Sequence, residues 1–368
     1  MSWHRASGWY VMLQGVQPLL VLVPVSLYLS WSGASPIGIF LSSALSIIPL
    51  AKLMGEATEK LADAMGPTQG GLLNATLGNA PELIISFFAL NAGLVEMVKY
   101  SITGSIISNL LFGLGITFLL MIKGDWSRNI QFDPDAVRAH SGLLVLAMFG
   151  LIIPAVFDFS TTVDREISLE ISVILIGVYA LTILATFLPR RPKTDAEDAL
   201  EIVRVDGEGT LGLPLWSPRR SLMLLSVVSI LLALMSEAMA NSLAPVMAEW
   251  TLSPAFVGVF VLALLGNTAE MLTAIRFARN GKIDLAMGVL LGGSAQMALM
   301  IGPTLVLIGA LMSLEMNLLF STYDLVAVIM TVMAVSHFLG AGHIRARSGI
   351  AFIALYIMLG IGFYNMPA

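Results

Sequence analysis

Long runs of apolar residues follow one another along the chain and are separated by short polar stretches. They cover approximately residues 11–31, 35–66, 70–92, 95–122, 138–158, 166–188, 219–247, 254–278, 283–312, 317–341 and 346–365. A helix needs about 20 apolar residues to cross a bilayer, and most of these runs reach that length. Because the runs do not alternate apolar and polar positions, a transmembrane barrel is disfavoured. The pattern predicts an all-α polytopic membrane protein with about 11 transmembrane helices.

The composition agrees with a membrane protein and restricts its chemistry. Hydrophobic residues make up 57% of the 368, charged residues make up 12%, and the mean hydropathy is +0.88. In soluble domains about a quarter of the residues are charged. Cysteine is absent, which excludes disulfides, thiolate metal sites and cysteine nucleophiles. The first run follows Arg5 without a small-residue cleavage pattern, so we interpret it as a retained helix rather than a signal peptide.

The basic residues predict the orientation. With eleven spans, 17 of the 19 lysines and arginines fall in connections on one face, and only Lys99 and Arg165 fall on the other. Cytoplasmic loops carry this excess in most membrane proteins. We therefore expect an integral membrane protein with a cytoplasmic N-terminus and an external C-terminus, in a prokaryotic plasma membrane. The expected partners are the lipid bilayer and further copies of the same chain in a homo-oligomer. No binding of nucleic acid is expected.

One long polar stretch divides the chain. Residues 190–218 contain six acidic residues among basic ones, as expected of a solvated cytoplasmic linker or of a segment that senses cations. Six apolar runs precede it and five follow. The predicted division is an N-terminal extra helix (1–34), a first five-helix repeat (35–189), the linker (190–218) and a second five-helix repeat (219–368).

Matching motifs occur in the two repeats. Leu-Gly-Asn-Ala-Pro-Glu at 77–82 corresponds to Leu-Gly-Asn-Thr-Ala-Glu at 265–270, 188 residues later. An amide follows each motif, Asn109 in the first half and Gln296 in the second. Since each repeat has an odd number of helices, the second starts on the opposite face and the repeats are inverted. Many secondary transporters share this architecture, with the substrate site near the membrane midplane at broken helices.

The first motif is expected to break its helix. Pro81 lacks a backbone donor, Gly78 tolerates unusual dihedral angles, and Asn79 can bond its own backbone. In the second repeat, Gly266 and Asn267 must break the helix without a proline.

Each motif ends in a glutamate that is deep in the membrane. Glu82 lies about 18 Å and Glu270 about 24 Å along its helix, where an ionisable group is costly and faces a pathway or a partner. Two such carboxylates can be stabilised by a divalent cation or by protons. Binding of the cation excludes the protons, and binding of protons excludes the cation. This competition predicts an exchange mechanism. The alternative is a carboxylate satisfied by hydrogen bonds between helices.

The other candidate ligands are also oxygen atoms, and they favour a hard cation. Calcium takes six to eight oxygen ligands, magnesium resists dehydration, and zinc or copper would require histidine or cysteine. Ca²⁺ is then the transported ion and H⁺ the counter-ion, without a resident cofactor. For the amides, a role in holding helices together is the alternative. The predicted ion ligands are Glu82, Glu270, Asn79, Asn267, Gly78, Gly266, Asn109, Gln296, Ser105 and Ser294, with Ser108 as a further hydroxyl.

Two more glutamates occupy the helices that precede the motifs. Glu56 approaches the cytoplasmic end of its helix, and Glu237 lies on the other side of the midplane. We interpret them as entrance carboxylates that guide cations or relay protons, with an interfacial role as the alternative.

The paired motifs resemble those of the calcium/cation antiporter superfamily, in particular its cation/proton exchanger branch, over about residues 35–366. The resemblance implies two inverted five-helix repeats, Ca²⁺ binding at Glu82 and Glu270, sliding helices lined by Glu56 and Glu237, and a site near Asn109 and Gln296. Two positions depart from the branch. The second motif of the branch usually continues with histidine, but Met271 occupies that position here. Pro81 resembles the proline in the corresponding motif of the sodium/calcium exchangers.

The prediction is a Ca²⁺/H⁺ antiporter that works by alternating access. A sodium/calcium exchanger of the same superfamily is the alternative, and a passive calcium channel also fits the residues. An intramembrane hydrolase does not, because the chain lacks a His-Glu-x-x-His helix, a Gly-x-Ser-x-Gly turn and paired intramembrane aspartates. We therefore do not expect an enzyme.

Overall fold

A computed structural model of the chain describes residues 16–122, 124–157, 161–186 and 217–366. The predicted linker lies outside these ranges except for its last two positions. The helices are α1 (Leu22–Ser32), α2 (Pro36–Met65), α3 (Pro67–Leu77), α4 (Ala80–Asn91), α5 (Val95–Leu120), α6 (Pro134–Val156), α7 (Thr161–Thr186), α8 (Pro218–Trp250), α9 (Pro254–Gly266), α10 (Thr268–Arg279), α11 (Ile283–Leu311), α12 (Thr322–Leu339) and α13 (Gly349–Tyr364). Two short strands are β1 (Asn129–Gln131) and β2 (His343–Arg345).

The predicted all-helical membrane fold is confirmed. Within the described residues, eight helices are long and apolar enough to cross a membrane, and α9 with α10 forms a ninth span bent by 58°. The run at 70–92 is divided between α3 and α4. The first run is represented by α1 and the short 3₁₀ turn before it, and α1 ends at Gly33, whose φ of 65° is the left-handed conformation that suits glycine.

Prolines and polar caps explain where many helices begin. Pro36, Pro67 and Pro254 each occupy the first turn of a helix, where the missing N–H costs no hydrogen bond. Ser253 and Ser321 cap α9 and α12 by accepting hydrogen bonds from backbone N–H groups. These local signals fix the helix starts without reference to the rest of the fold.

The predicted breaks at both motifs are confirmed. Helix α3 ends one residue before Gly78 and α4 begins after Asn79, while α9 and α10 meet at Asn267. The reason expected for Gly78 was wrong, because its φ of −58° and ψ of −38° are ordinary helical values. The requirement is spatial, since a Cβ at Gly78 would lie 2.5 Å from the carbonyl oxygen of Asn74.

Within the part of the chain that the structure describes, three π-helical segments interrupt the spans. They lie at Ser108–Gly113 in α5, Val257–Leu262 in α9 and Met297–Ile301 in α11. Segments of this kind are rare and occur often at functional sites. Those in α5 and α11 occupy corresponding places in the two predicted repeats. The first contains Asn109, and the second begins directly after Gln296.

The chain divides into two compact units. Unit 1 comprises Met1–Phe88 and Thr186–Glu249, and unit 2 comprises Ala89–Ala185 and Trp250–Ala368. Each unit therefore takes helices from both predicted repeats. Unit 1 contains α1 to α3, most of α4, and α8, whereas unit 2 contains most of the remaining helices.

Contacts within unit 2 agree with the predicted inversion. Strands β1 and β2 pair antiparallel, with Ile130 opposite Ile344, and both had been placed on the same membrane face. On the opposite face, Ser253 Oγ donates to the carbonyl oxygen of Phe363 at 2.9 Å, and the backbone N–H of Leu318 donates to Ser168 Oγ at 3.1 Å. The parity of the spans between these residues is therefore correct.

Helices α5 and α9 approach each other closely through glycine. A Cβ at Gly104 would overlap backbone atoms of Val259, and one at Gly258 would overlap the Cβ of Tyr100. Small residues allow this approach in membrane proteins. It brings the polar residues of α5 next to the break between α9 and α10.

Candidate ion-binding site

The two motif glutamates occupy equivalent places in their helices. Glu82 lies in the first turn of α4 and Glu270 in the first turn of α10, each directly after the break. The N-terminal turn of a helix has unpaired N–H groups and a positive dipole end, which favour a carboxylate. The break therefore provides a local reason for a carboxylate to remain deep in the membrane.

Glu270 is held from two sides within unit 2. Asn109 Nδ2 donates to Glu270 Oε2 at 2.6 Å. On another side, Gly293 of α11 is so close that a Cβ there would overlap both carboxylate oxygens. Within the described ranges, no basic side chain forms an ion pair with Glu270. The carboxylate is half-buried and retains acceptor capacity beyond this one amide.

Asn267 connects the helix break to α5. Its Nδ2 donates to Ser108 Oγ at 2.9 Å and to the carbonyl oxygen of Ser105 at 3.2 Å. It does not cap α10 with its side chain. The same amide group therefore reaches across to another helix and fixes the position of the break.

Two amide oxygens in this network accept no hydrogen bond from the described residues. Asn109 and Asn267 are fully buried, and among the described residues their Oδ1 atoms have no hydrogen-bond partner. Buried polar atoms are nearly always satisfied, so such exceptions indicate a place where an ion or water can bind. A hard cation would satisfy these oxygens together with the Glu270 carboxylate.

The residues predicted in unit 1 are largely buried. Glu82 is 3% exposed and Asn79 is 1% exposed. The side chain of Glu56 is 13% exposed, with Lys52 Nζ 4.0 Å away one turn earlier on α2. Glu237 differs because it is exposed, near the middle of α8.

The remaining predicted ligands have mixed positions. The buried Ser294 Oγ donates to Leu290 in its own helix at 2.8 Å, so its hydroxyl hydrogen is used locally. Gln296 is half-buried and ends the first α-helical part of α11, and Gly266 is buried at the end of α9. Ser105 enters the described network through its carbonyl oxygen rather than through its hydroxyl.

Gly293 was missed as a site residue. The sequence contains a signal for it, the Gly292–Gly293 pair that precedes Ser294 and Gln296. From sequence alone, such glycines are usually interpreted as helix-packing positions. Only the placement of α10 against α11 shows that Gly293 makes room for a carboxylate.

No group of three or more acidic, histidine or cysteine side chains that could hold a metal occurs in the described residues. The network in unit 2 instead combines one carboxylate with neutral amide, hydroxyl and carbonyl oxygens. Such a set offers oxygen ligands to a cation without concentrating negative charge.

Comparison with known proteins gives consistent matches over nearly the whole chain. A family model described as sodium/calcium exchanger protein matches residues 35–188 and 220–364. The Ca²⁺/H⁺ antiporter of Aphanothece halophytica is 36% identical over 365 residues, covering 95% of this chain and 96% of the relative. A protein of the same name from Synechocystis sp. is 34% identical over 366 residues, covering 95% and 96%. The structure of native YfkE has a TM-score of 0.80 at 29% identity and covers 95% of this chain and 100% of that chain.

Proposed function

Since the chain belongs to the sodium/calcium exchanger protein family, we propose that it is an antiporter that exchanges Ca²⁺ for H⁺ across the membrane. Proteins of this family are transporters rather than enzymes. Relatives that are named Ca²⁺/H⁺ antiporters match along the whole chain at 34% and 36% identity. The observation that carries the proposal is the half-buried Glu270, which lacks a basic partner in the described residues and accepts a hydrogen bond from the buried amide of Asn109.

The mechanism follows from competition for the glutamates. When Ca²⁺ occupies the site, the carboxylates are ionised and bind it together with neutral oxygens. When Ca²⁺ leaves, desolvation favours the protonated form, because an ionised carboxylate is costly at this depth. Ca²⁺ and protons thus alternate on the same groups, and the two half-cycles are coupled without a separate gate for each ion.

The ligand set is proposed from both repeats. In unit 2, Glu270, Asn109 and Asn267 have the described hydrogen bonds as support. The corresponding set in unit 1 is Glu82, Asn79 and Gly78, supported by burial and by the break in the helix. The sequence symmetry of the two motifs supports proposing both glutamates as ion ligands. The carbonyls at Gly266 and Ser105, with Gln296 and Ser294, complete the proposed set.

Glu56 and Glu237 are proposed as entrance carboxylates. The exposure of Glu237 in the middle of an apolar span supports this role, because a carboxylate at that depth requires access to water or to an ion. Glu56 has Lys52 nearby, which would balance its charge when no cation is present.

The proposed topology places the N-terminus in the cytoplasm and the C-terminus outside, in a plasma membrane. The distribution of basic residues supports it. The two matched segments of the family model also support the predicted repeats, since they begin and end close to the predicted limits.

Ca²⁺ uptake into everted membrane vesicles tests this function. We expect uptake that needs an acidic lumen, proceeds without Na⁺ and is abolished in Glu270→Gln and Glu82→Gln. The matched control is Glu315→Gln, which removes an exposed carboxylate between α11 and α12 and should leave uptake unchanged. Uptake driven only by a Na⁺ gradient would instead indicate the sodium-coupled exchanger. A passive channel would instead be indicated if Ca²⁺ never accumulated in the vesicles against its own electrochemical gradient.

A further inference from the structure

Tyr356 is a polar residue in the interior of unit 2 that the proposed ligand set does not use. It lies near the middle of α13 and is 5% exposed, and its hydroxyl has no hydrogen-bond partner among the described residues. A buried hydroxyl without a partner costs free energy, whereas a phenylalanine would fill nearly the same space without that cost. Packing alone therefore does not explain a tyrosine at this position.

Tyr356 differs from the other buried hydroxyls without a partner in what its hydroxyl can reach. Among the described residues, the serines and threonines of this kind are Ser26, Thr58, Thr117, Ser221 and Thr331. A serine or threonine hydroxyl can turn toward a carbonyl oxygen one turn earlier in its own helix. The hydroxyl of a tyrosine is held at the far end of a rigid ring, so its partner must come from another helix.

The ring of Tyr356 contacts two of the π-helical segments. Its centroid is 5.2 Å from that of Phe112 in the segment of α5 and 4.8 Å from that of Phe260 in the segment of α9. Gly360, one turn later on α13, is also close to α9, because a Cβ there would lie 3.1 Å from the Phe260 ring. Phe112 follows Asn109 by three residues. Tyr356 is therefore in contact with the segment that contains a proposed ion ligand.

Helix α13 is attached to the same two helices on either side of Tyr356. At its start, a Cβ on Gly349 would overlap the carbonyl oxygen of Gly115 in α5. At its other end, the carbonyl oxygen of Phe363 accepts a hydrogen bond at 2.9 Å from Ser253 Oγ, which caps α9. The two attachments hold the middle of α13, and with it the tyrosine, against both π-helical segments.

The hydrogen-bond pairing of a π-helical segment can change. The N–H of Leu114 donates to the carbonyl oxygen of Asn109, and the N–H of Ala263 donates to that of Gly258, five residues earlier in each case. An α-helix instead pairs residues that are four apart. When a segment changes between the two pairings, a carbonyl oxygen loses its previous donor and needs a new one. A tyrosine hydroxyl can supply that donor.

We propose that Tyr356 is a positioning residue for alternating access, whose hydroxyl donates to a backbone carbonyl oxygen of an adjoining π-helical segment in the other state of the transport cycle. In the present state the hydroxyl has no partner in the described residues, which makes this state less stable. In the other state the new hydrogen bond is stabilising, so the two states are closer in free energy than they would be with phenylalanine. This role rests on the proposed function, because it concerns the change of access during transport.

Exchange of Ca²⁺ for labelled Ca²⁺ in vesicles tests this role, together with thermal unfolding in detergent. This exchange requires the change of access but no net movement of protons. In Tyr356→Phe we expect the midpoint of unfolding to rise by about 1–3 °C, because a buried hydroxyl without a partner is removed. We expect the maximum exchange rate to fall about tenfold, because the present state is then favoured over the other. A merely structural hydroxyl would not make the protein more stable and slower at once.

The matched control is Thr117→Val. Thr117 is fully buried on α5, five residues after Phe112, and its hydroxyl also has no partner in the described residues. It lies beyond the π-helical segment, which ends at Gly113. Its variant should keep the wild-type exchange rate, and its midpoint should stay the same or rise.

Three results would overturn the proposal. A lower midpoint in Tyr356→Phe would show that the hydroxyl is already bonded in the present state. An unchanged exchange rate would show that it gains no partner in the other state. An equal loss of rate in Thr117→Val would show that the effect is not specific to Tyr356. The proposed function fails separately, if the wild-type protein exchanges Ca²⁺ for labelled Ca²⁺ but shows no uptake driven by a pH gradient.

Discussion

At the scale of single residues, the proposed site depends on one missing side chain as much as on the proposed ligands. Asn109 donates to Glu270 at 2.6 Å, and Gly293 leaves the space that the carboxylate occupies. A ligand that must bind and release an ion needs a fixed position, since a small displacement changes every ligand distance. Gly293 therefore belongs to the proposed site although it contributes no ligand atom.

Gly293→Ala should raise the KM for Ca²⁺ by about tenfold or more, equivalent to about 1.4 kcal/mol of lost binding. The added methyl group would overlap the Glu270 carboxylate and displace it. The control is Gly288→Ala on the same helix, where a Cβ has nothing within 4 Å. Initial rates of uptake in vesicles measure the effect. A wild-type KM in Gly293→Ala would show that the carboxylate does not bind Ca²⁺ in this position.

At the scale of elements, α5 is the helix that joins the parts of the site in unit 2. One side of α5 approaches α9 at Gly104. The carbonyl oxygen of Ser105 and the hydroxyl of Ser108 accept hydrogen bonds from the side chain of Asn267. Elsewhere, Thr103 Oγ1 donates at 2.8 Å to Asp324 of α12, which is 1% exposed. The helix is thus fixed to both neighbours, and this attachment keeps Asn109 in place.

Gly104→Ala should destabilise the protein by about 1–3 kcal/mol, the usual cost of overpacking. Its Cβ would overlap the backbone of Val259, which cannot move aside as a side chain can. Thermal unfolding in detergent without Ca²⁺ measures the loss. Gly142→Ala on α6 is the control, because a Cβ there meets nothing within 4 Å and should leave the midpoint unchanged or raise it. An unchanged midpoint in Gly104→Ala would contradict the close helix contact.

At the scale of the whole molecule, an odd number of spans in each repeat places corresponding motifs in opposite directions. The hydrogen bonds within unit 2 agree with this parity on both faces. These hydrogen bonds do not indicate which face is cytoplasmic. The basic residues predict that, because the excess of lysine and arginine in short loops sets the orientation of a membrane protein.

Labelling of single cysteines tests the orientation. The natural chain has no cysteine, so each introduced thiol reports one position. We expect a membrane-impermeant maleimide to label Asn365→Cys in intact cells and to label Asn280→Cys only in everted vesicles. Both positions are exposed and follow helix ends. Permeabilised cells, in which both thiols should react, control for reactivity. The reverse pattern would invert the proposed topology.

Much of the fold could be predicted because its signals are local. A run of about 20 apolar residues is long enough to span the bilayer as a helix wherever it occurs. Pro36 and Pro254 mark helix starts, and the Gly-Asn motifs break their helices as expected. Of the candidate site, the sequence indicated Glu270, Asn109 and Asn267, since polar residues within apolar runs are conspicuous.

The sequence by itself determined the helical class of the fold, the positions of the breaks and the residues available to bind an ion. Only the tertiary structure decided how those residues are used. It directs Asn267 toward Ser108 instead of its own helix end, leaves Ser294 bonded within α11, and places Gly293 against Glu270. The physical reason is that these contacts join helices far apart in the chain. They depend on interhelical packing, which no local pattern encodes.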